Sequence, residues 1–237
     1  MSAVNKRAKA IVTLVLWLIL IPVLMTIGTL VFREKHYAFT SLCVAVLSCV
    51  PLFYSFERRE NTSRELTALA ALVALSAAGR FLFAWLPGFK PVTAITILAA
   101  VYLGREAGFA VGSLSAVISN FYFGQGPWTP FQMFSWGMIG FLAGVMSAPL
   151  KRSRFLLCLF GALAGLFYSF TMDIWSTLWM EGSFTLSRYG SIVLTSAGMT
   201  AVYAVSNVLF LLLFSKPFGE KLERLKKKYG LFSYENP

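Results

Sequence analysis

Residues 155–180, FLLCLFGALAGLFYSFTMDIWSTLWM, place a single charged side chain, Asp173, among 26 positions. A helix of that length rises about 39 Å, more than the ~30 Å hydrocarbon thickness of a bilayer. Lys151, Arg152 and Arg154 stand immediately before it, so the run reads as a transmembrane helix with one basic end. Working outward, further charge-poor runs lie at 10–32, 36–56, 66–86, 91–103, 107–123, 131–149 and 189–214. The composition agrees: 57% of the residues are hydrophobic, 13% are charged and the mean hydropathy is +0.70. Soluble domains carry about 25% charged residues. The expected fold class is therefore an all-α integral membrane protein with about eight transmembrane helices. The run 91–103 rises only ~20 Å. It either begins below the surface or forms a re-entrant pair with 107–123, and two separate spans are the expectation.

Lys and Arg outnumber Asp and Glu by 21 to 10. In a chain of this composition the excess reports orientation rather than nucleic-acid binding. With the N-terminus inside, sixteen basic residues fall on inner segments and four (Arg33, Lys35, Lys90 and Arg188) on outer ones, while Arg80 lies within a span. Both termini are thus expected on the cytoplasmic side of the plasma membrane. Lys6, Arg7 and Lys9 precede a first run too long for a cleavable signal, which reads as a retained anchor. Asn61-Thr62-Ser63 falls on the inner side and reads as a chance sequon. After the last run, Phe218, Leu222, Leu225 and Tyr229 recur at helical spacing between lysines and arginines, predicting a short amphipathic helix on the anionic inner surface.

Much chemistry is missing. Cys43, Cys49 and Cys158 sit in or beside apolar runs without metal-like spacing, and the sole histidine, His36, stands at a span entrance. There is no glycine-rich phosphate loop ending in Gly-Lys-Ser/Thr, no H-E-x-x-H and no G-x-S-x-G. No enzyme activity, metal site or cofactor is expected. What remains is a protein that binds a solute, passes it passively as a channel or facilitator, or works with a powered partner.

The informative residues cluster in the outer half. Five of the six tryptophans, Trp85, Trp128, Trp136, Trp175 and Trp179, fall there, with many phenylalanines. An interfacial belt explains single rings, but a belt is usually two-sided; an aromatic-walled pocket is the alternative. The loop Gly124-Gln125-Gly126-Pro127-Trp128-Thr129-Pro130 lies between Asn120 and Gln132, and serves either as a plain turn or as the lip of a site. Arg80 is the costliest residue, since a cation well inside a span costs roughly 2.5–3.5 kcal/mol on insertion scales. It lies in the outer half, as does Asp173, so the two either pair or face a polar ligand; Lys90 is a second cation at the mouth. On the inner half of the same helix Ala70, Ala74 and Ala78 form a small-residue strip for internal packing or for a docking partner.

The run from Gly79 to Met146, with GRFLFAWLPGFKPVTAI and AGFAVGSLSAVISNFYFGQGPWTPFQMFSWG, resembles the substrate-binding S component of energy-coupling factor (ECF) vitamin transporters. Overall likeness is greatest to the cobalamin-type members. The resemblance implies a six-helix core over 64–214, preceded by two additional helices in 1–63 and followed by a basic amphipathic tail, 215–237. It implies a vitamin ligand, with cobalamin as the candidate, captured from the extracellular side. Power would come from an ECF module of two ATPase subunits and a transmembrane scaffold. The family's docking alanines map onto Ala70, Ala74 and Ala78, and its covering loops onto 83–90, 124–130 and 181–188. The candidate ligand contacts are Arg80, Trp85, Lys90, Asn120, Gln125, Trp128, Gln132, Trp136 and Asp173.

Overall fold

The computed structural model describes residues 11, 12, 15–30, 39, 43, 44, 46, 47, 62–181 and 184–232. Among them the regular elements are all helical. A π-helical turn, Leu16–Leu20, leads into α1 (Ile21–Leu30), followed by α2 (Thr62–Leu82), α3 (Val92–Leu103), α4 (Arg105–Phe123), α5 (Thr129–Val145), the short α6 (Ser147–Arg152), α7 (Arg154–Glu181) and α8 (Leu186–Tyr229). Ser63–Leu82, Arg154–Met180 and Leu186–Tyr229 are long and apolar enough to cross a membrane. Most of the expected run 36–56, together with His36, Cys49 and Asn61, lies outside the described residues. Cys43 and Cys158 are free thiols, each half-buried.

The bundle is organised around α3. Its 12 residues rise about 18 Å, too short to cross a bilayer alone, and all but Tyr102 are buried. It is a central strut sheathed by other helices rather than a lipid-facing span. Gly104, at φ 109°, turns the chain directly into α4, so 91–123 forms two separate helices with a tight corner between them.

The closest helix pair is α4 with α5, and glycine makes it possible. A Cβ at Gly112 would sit 2.2 Å from the Trp136 carbonyl oxygen, and one at Gly140 would sit 2.2 Å from that of Gly108. Such small-residue faces let helices touch backbone to backbone, where dispersion and packing replace the hydrophobic drive that lipid does not supply. Against this slab lies the N-terminal helix. Trp17 is fully buried, stacked on Phe109 at 3.8 Å and edge-on to Phe141 at 5.2 Å, with Ile21 and Met25 buried beside it. The N-terminal segment is therefore packed onto the core at these positions.

The expected separate tail helix is not seen. α8 continues through Pro217 as one helix of 44 residues. Much of its apolar stripe faces the protein: Leu222, Phe218 and Tyr229 pack with Leu69, Leu72, Leu103 and Ala107, while Leu225 is 41% exposed. Gly230 caps the helix in the left-handed region, and Leu231 N donates to the Lys226 carbonyl at 3.1 Å. Leu231 and Phe232 are then tucked under α2, where Phe232 N donates to Glu65 Oε1 at 2.7 Å.

Candidate functional site

Counting upward along the helices, the C-terminal end of α2, the N-terminal ends of α3 and α5, and the facing stretches of α7 and α8 enclose a cavity of about 180 Å³. Its walls include Arg80, Lys90, Thr93, Gln132, Trp136, Tyr168, Tyr203 and Asn207. Two cations face the space and no carboxylate lines it.

Arg80 is 8% exposed, at the last turn of α2. Its Nη1 donates to Asn120 Oδ1 at 3.0 Å and to Ser119 Oγ. The guanidinium lies 4.6 Å from the Phe123 ring centroid and 5.0 Å from that of Trp136. In a desolvated setting such ring faces contribute roughly 2 kcal/mol or more. Nε is buried without a hydrogen-bond partner. Leaving a cationic donor unmet in a buried site is costly.

Behind Arg80 runs a chain of amides. Asn120 Nδ2 donates to Gln132 Oε1 at 2.8 Å and to Thr129 Oγ1 at 3.0 Å, and Gln132 Nε2 donates to the Tyr168 hydroxyl at 3.1 Å. Each amide orientation is thus dictated by its neighbours. Trp136 stacks on Tyr168 with centroids 5.1 Å apart and planes 8° from parallel, and Tyr203 meets Tyr168 edge-on at 5.1 Å. Together they form an aromatic wall carrying polar tips.

Lys90 closes the mouth. Its backbone N donates to Ser206 Oγ at 3.0 Å, Ser206 Oγ donates back to its carbonyl at 3.2 Å, and its ammonium donates to the Phe83 carbonyl. Burial, together with the nearby Arg80 charge, holds the Lys90 ammonium below its ordinary range. Gly88, at φ 71°, lets this loop pass against Met199 and Tyr203.

The candidate residues divide three ways. Arg80, Lys90, Gln132 and Trp136 line the cavity. Asn120, Gln125 and Trp128 support it. Gln125 Nε2 donates to the Val117 carbonyl at 2.8 Å, its Oε1 accepts from Thr129 Oγ1 at 3.0 Å, and Trp128 meets Trp175 edge-on at 5.8 Å. The glycine-proline loop is thereby locked to α4 as a fixed turn. Trp85 and Asp173 lie elsewhere. Trp85 is 75% exposed, and Asp173 Oδ2 accepts from Ser196 Oγ at 2.7 Å rather than pairing with Arg80. Tyr168, Tyr203, Thr93 and Asn207 were not anticipated. Asn207, an amide within an apolar run, carried a readable signal; the tyrosines had none apart from their depth.

Neither the curated proteins nor the solved structures yield a match. A family model described as "ECF-type riboflavin transporter, S component" matches residues 60–223, taking in every cavity-lining residue named above and the whole glycine-packed slab. With well over half of its length matched, the chain belongs to the family of ECF-type riboflavin transporter S components.

Proposed function

We propose that this membrane subunit captures riboflavin, or a flavin closely similar to it, in the Arg80 cavity from the extracellular side, and delivers it through an ATP-driven ECF module of two ATPases and a membrane scaffold. The observation that carries this reading is the pairing of a flat aromatic wall, Trp136 on Tyr168, with two cationic donors, Arg80 and Lys90, in a chain of this family. A flavin offers a planar ring for the wall and an edge of carbonyl oxygens and ring nitrogens that accept hydrogen bonds. Sites for drug-sized ligands usually measure about 300–1,000 Å³, so the cavity must widen on loading. The loop 83–90 is the natural part to yield, because it is the non-helical segment at the mouth and Trp85 within it is exposed.

Cobalamin, the candidate from overall sequence likeness, fits less well. The matching family is named for riboflavin, and a corrin with its nucleotide arm demands a far larger opening than a flavin. The test is a titration of the purified full chain with riboflavin and with cobalamin, read by quenching of flavin fluorescence and by calorimetry. Saturable riboflavin binding with no cobalamin uptake is expected; the reverse would reinstate cobalamin.

The alanine strip supports the delivery step. Ala70, Ala74 and Ala78 are exposed on α2, whereas Leu69, Leu72, Val73 and Ala77 face inward. Replacing Ala70 and Ala74 by Leu is expected to abolish uptake in cells that supply the ECF module, with binding unchanged. A stand-alone facilitator would instead move riboflavin into liposomes containing this chain and no ATPase.

A further inference from the structure

At the opposite end of the bundle from Arg80 lies a second cavity, of about 170 Å³, between the end of α3, the α6–α7 corner and the middle of α8. Lys151, Arg154 and Lys216 converge on it, with Tyr102 and Ser215 as polar neighbours and Leu98, Leu150 and Leu157 as its floor. Lys151 Nζ stands 4.8 Å from the Tyr102 ring centroid, which holds this exposed lysine's ammonium at the cavity edge. Among the described residues no carboxylate forms an ion pair with any of the three cations. The acids nearest in sequence to Lys216 are Glu220 and Glu223, one and two turns further along α8; both are close enough to act on the Tyr102 hydroxyl, and Glu223 is paired with Lys227 at 3.5 Å. Burial lowers the Lys151 pKa, while Glu223 acts in the opposite direction without cancelling it. The cluster therefore sets three positive charges, a ring and a hydroxyl around a half-open pocket, with all three cations on its exposed side.

We propose that this cavity is a binding site for the phosphate group of an anionic phospholipid. The chemistry required is a compact anion with several acceptor oxygens, which three cationic donors can surround. The surroundings select a lipid over a soluble phosphate. Phe155 follows Arg154 and is 74% exposed; Leu212 and Leu213, one turn before Lys216 on α8, are 46% and 65% exposed. Acyl chains anchored by a phosphate here would cover these side chains. Basic pockets between transmembrane helices on the cytoplasmic side are suited to such headgroups, and the excess of basic residues at this end is what the positive-inside rule expects of that side. The site is independent of what fills the Arg80 cavity.

The test uses the full chain in nanodiscs and in detergent, with phosphatidylglycerol, phosphatidylcholine and inorganic phosphate as probes, read by native mass spectrometry and by melting temperature. Phosphatidylglycerol should be retained and should raise the melting temperature, and phosphatidylcholine should do neither. The triple variant K151Q/R154Q/K216Q should lose phosphatidylglycerol affinity by about 100-fold, whereas K221Q/K227Q/K228Q, which removes as much charge from the exposed flank of α8, should keep most of it. If the first triple variant does not fold, K216Q alone should still weaken retention by about fivefold, with recovery in K216R. Equal loss in both triple variants would reduce the effect to general surface charge and overturn the site. Equal retention of the two lipids, or protection by inorganic phosphate as strong as by phosphatidylglycerol, would overturn the lipid assignment.

Discussion

The α4–α5 slab and the Arg80 cavity share one helix, α5, yet are built by opposite rules. In the slab, backbones meet so closely that a single added carbon at Gly112 or Gly140 would overlap a carbonyl. In the cavity the same α5 turns Trp136 and Gln132 toward unfilled space, and Arg80 is left with an unmet donor. The slab spends its sequence on rigidity and the cavity spends it on unpaired chemistry. A preorganised donor set needs such a backing, because soft walls would let the amides rotate to satisfy one another.

The sharpest way to break the contrast is to force the slab apart. Gly112→Val should destabilise the protein by about 3 kcal/mol, seen as loss of folded yield and a lower melting temperature in detergent; unchanged melting would show that the helices are not in contact there. Next in size, Arg80→Gln should weaken riboflavin binding by about 50-fold or more by calorimetry, since it removes a buried charged donor, while the ligand-free melting temperature is retained or raised. Gln132→Leu should cost about tenfold in affinity, because it unties Asn120 from Tyr168 without touching either cation. Gln125→Ala should lower stability by about 1 kcal/mol with little change in affinity, as its amide is spent on Val117 and Thr129. Trp85→Ala, on an exposed ring, should change affinity by less than about twofold; a larger effect would bring the 83–90 loop into direct contact with the vitamin.

The fold was the more legible part. Charge-free runs and their basic flanks marked the helices because the bilayer leaves few alternatives for an apolar chain of that length. The expected breaks at 103–107 and 124–130 lie within two residues of the observed ones, though the next helices begin earlier than expected, at Arg105 and Thr129. The tail was less legible because an amphipathic stripe states that a face must be covered, not by what; Phe218 and Leu222 pack on the protein's own core, whereas Leu225 stays exposed. At the site, Arg80, Gln132 and Trp136 were legible because a buried cation, an amide and a tryptophan in one half of a membrane protein each demand company. Asp173 raised the same demand but met it locally with Ser196. Tyr168 and Tyr203 escaped notice because a tyrosine within a span is as compatible with packing as with a wall, and only the facing of α7 on α8, tightened by Gly165 against Ala204, sets them toward the cavity.

The most direct test is an equilibrium titration of purified wild-type protein and Arg80→Gln with riboflavin, read by quenching of flavin fluorescence, with melting curves recorded on the same samples. The account predicts one saturable site in the wild type, stacked on the Trp136 wall, and near-complete loss in a variant that melts no lower. Indistinguishable binding curves for the two proteins would contradict it.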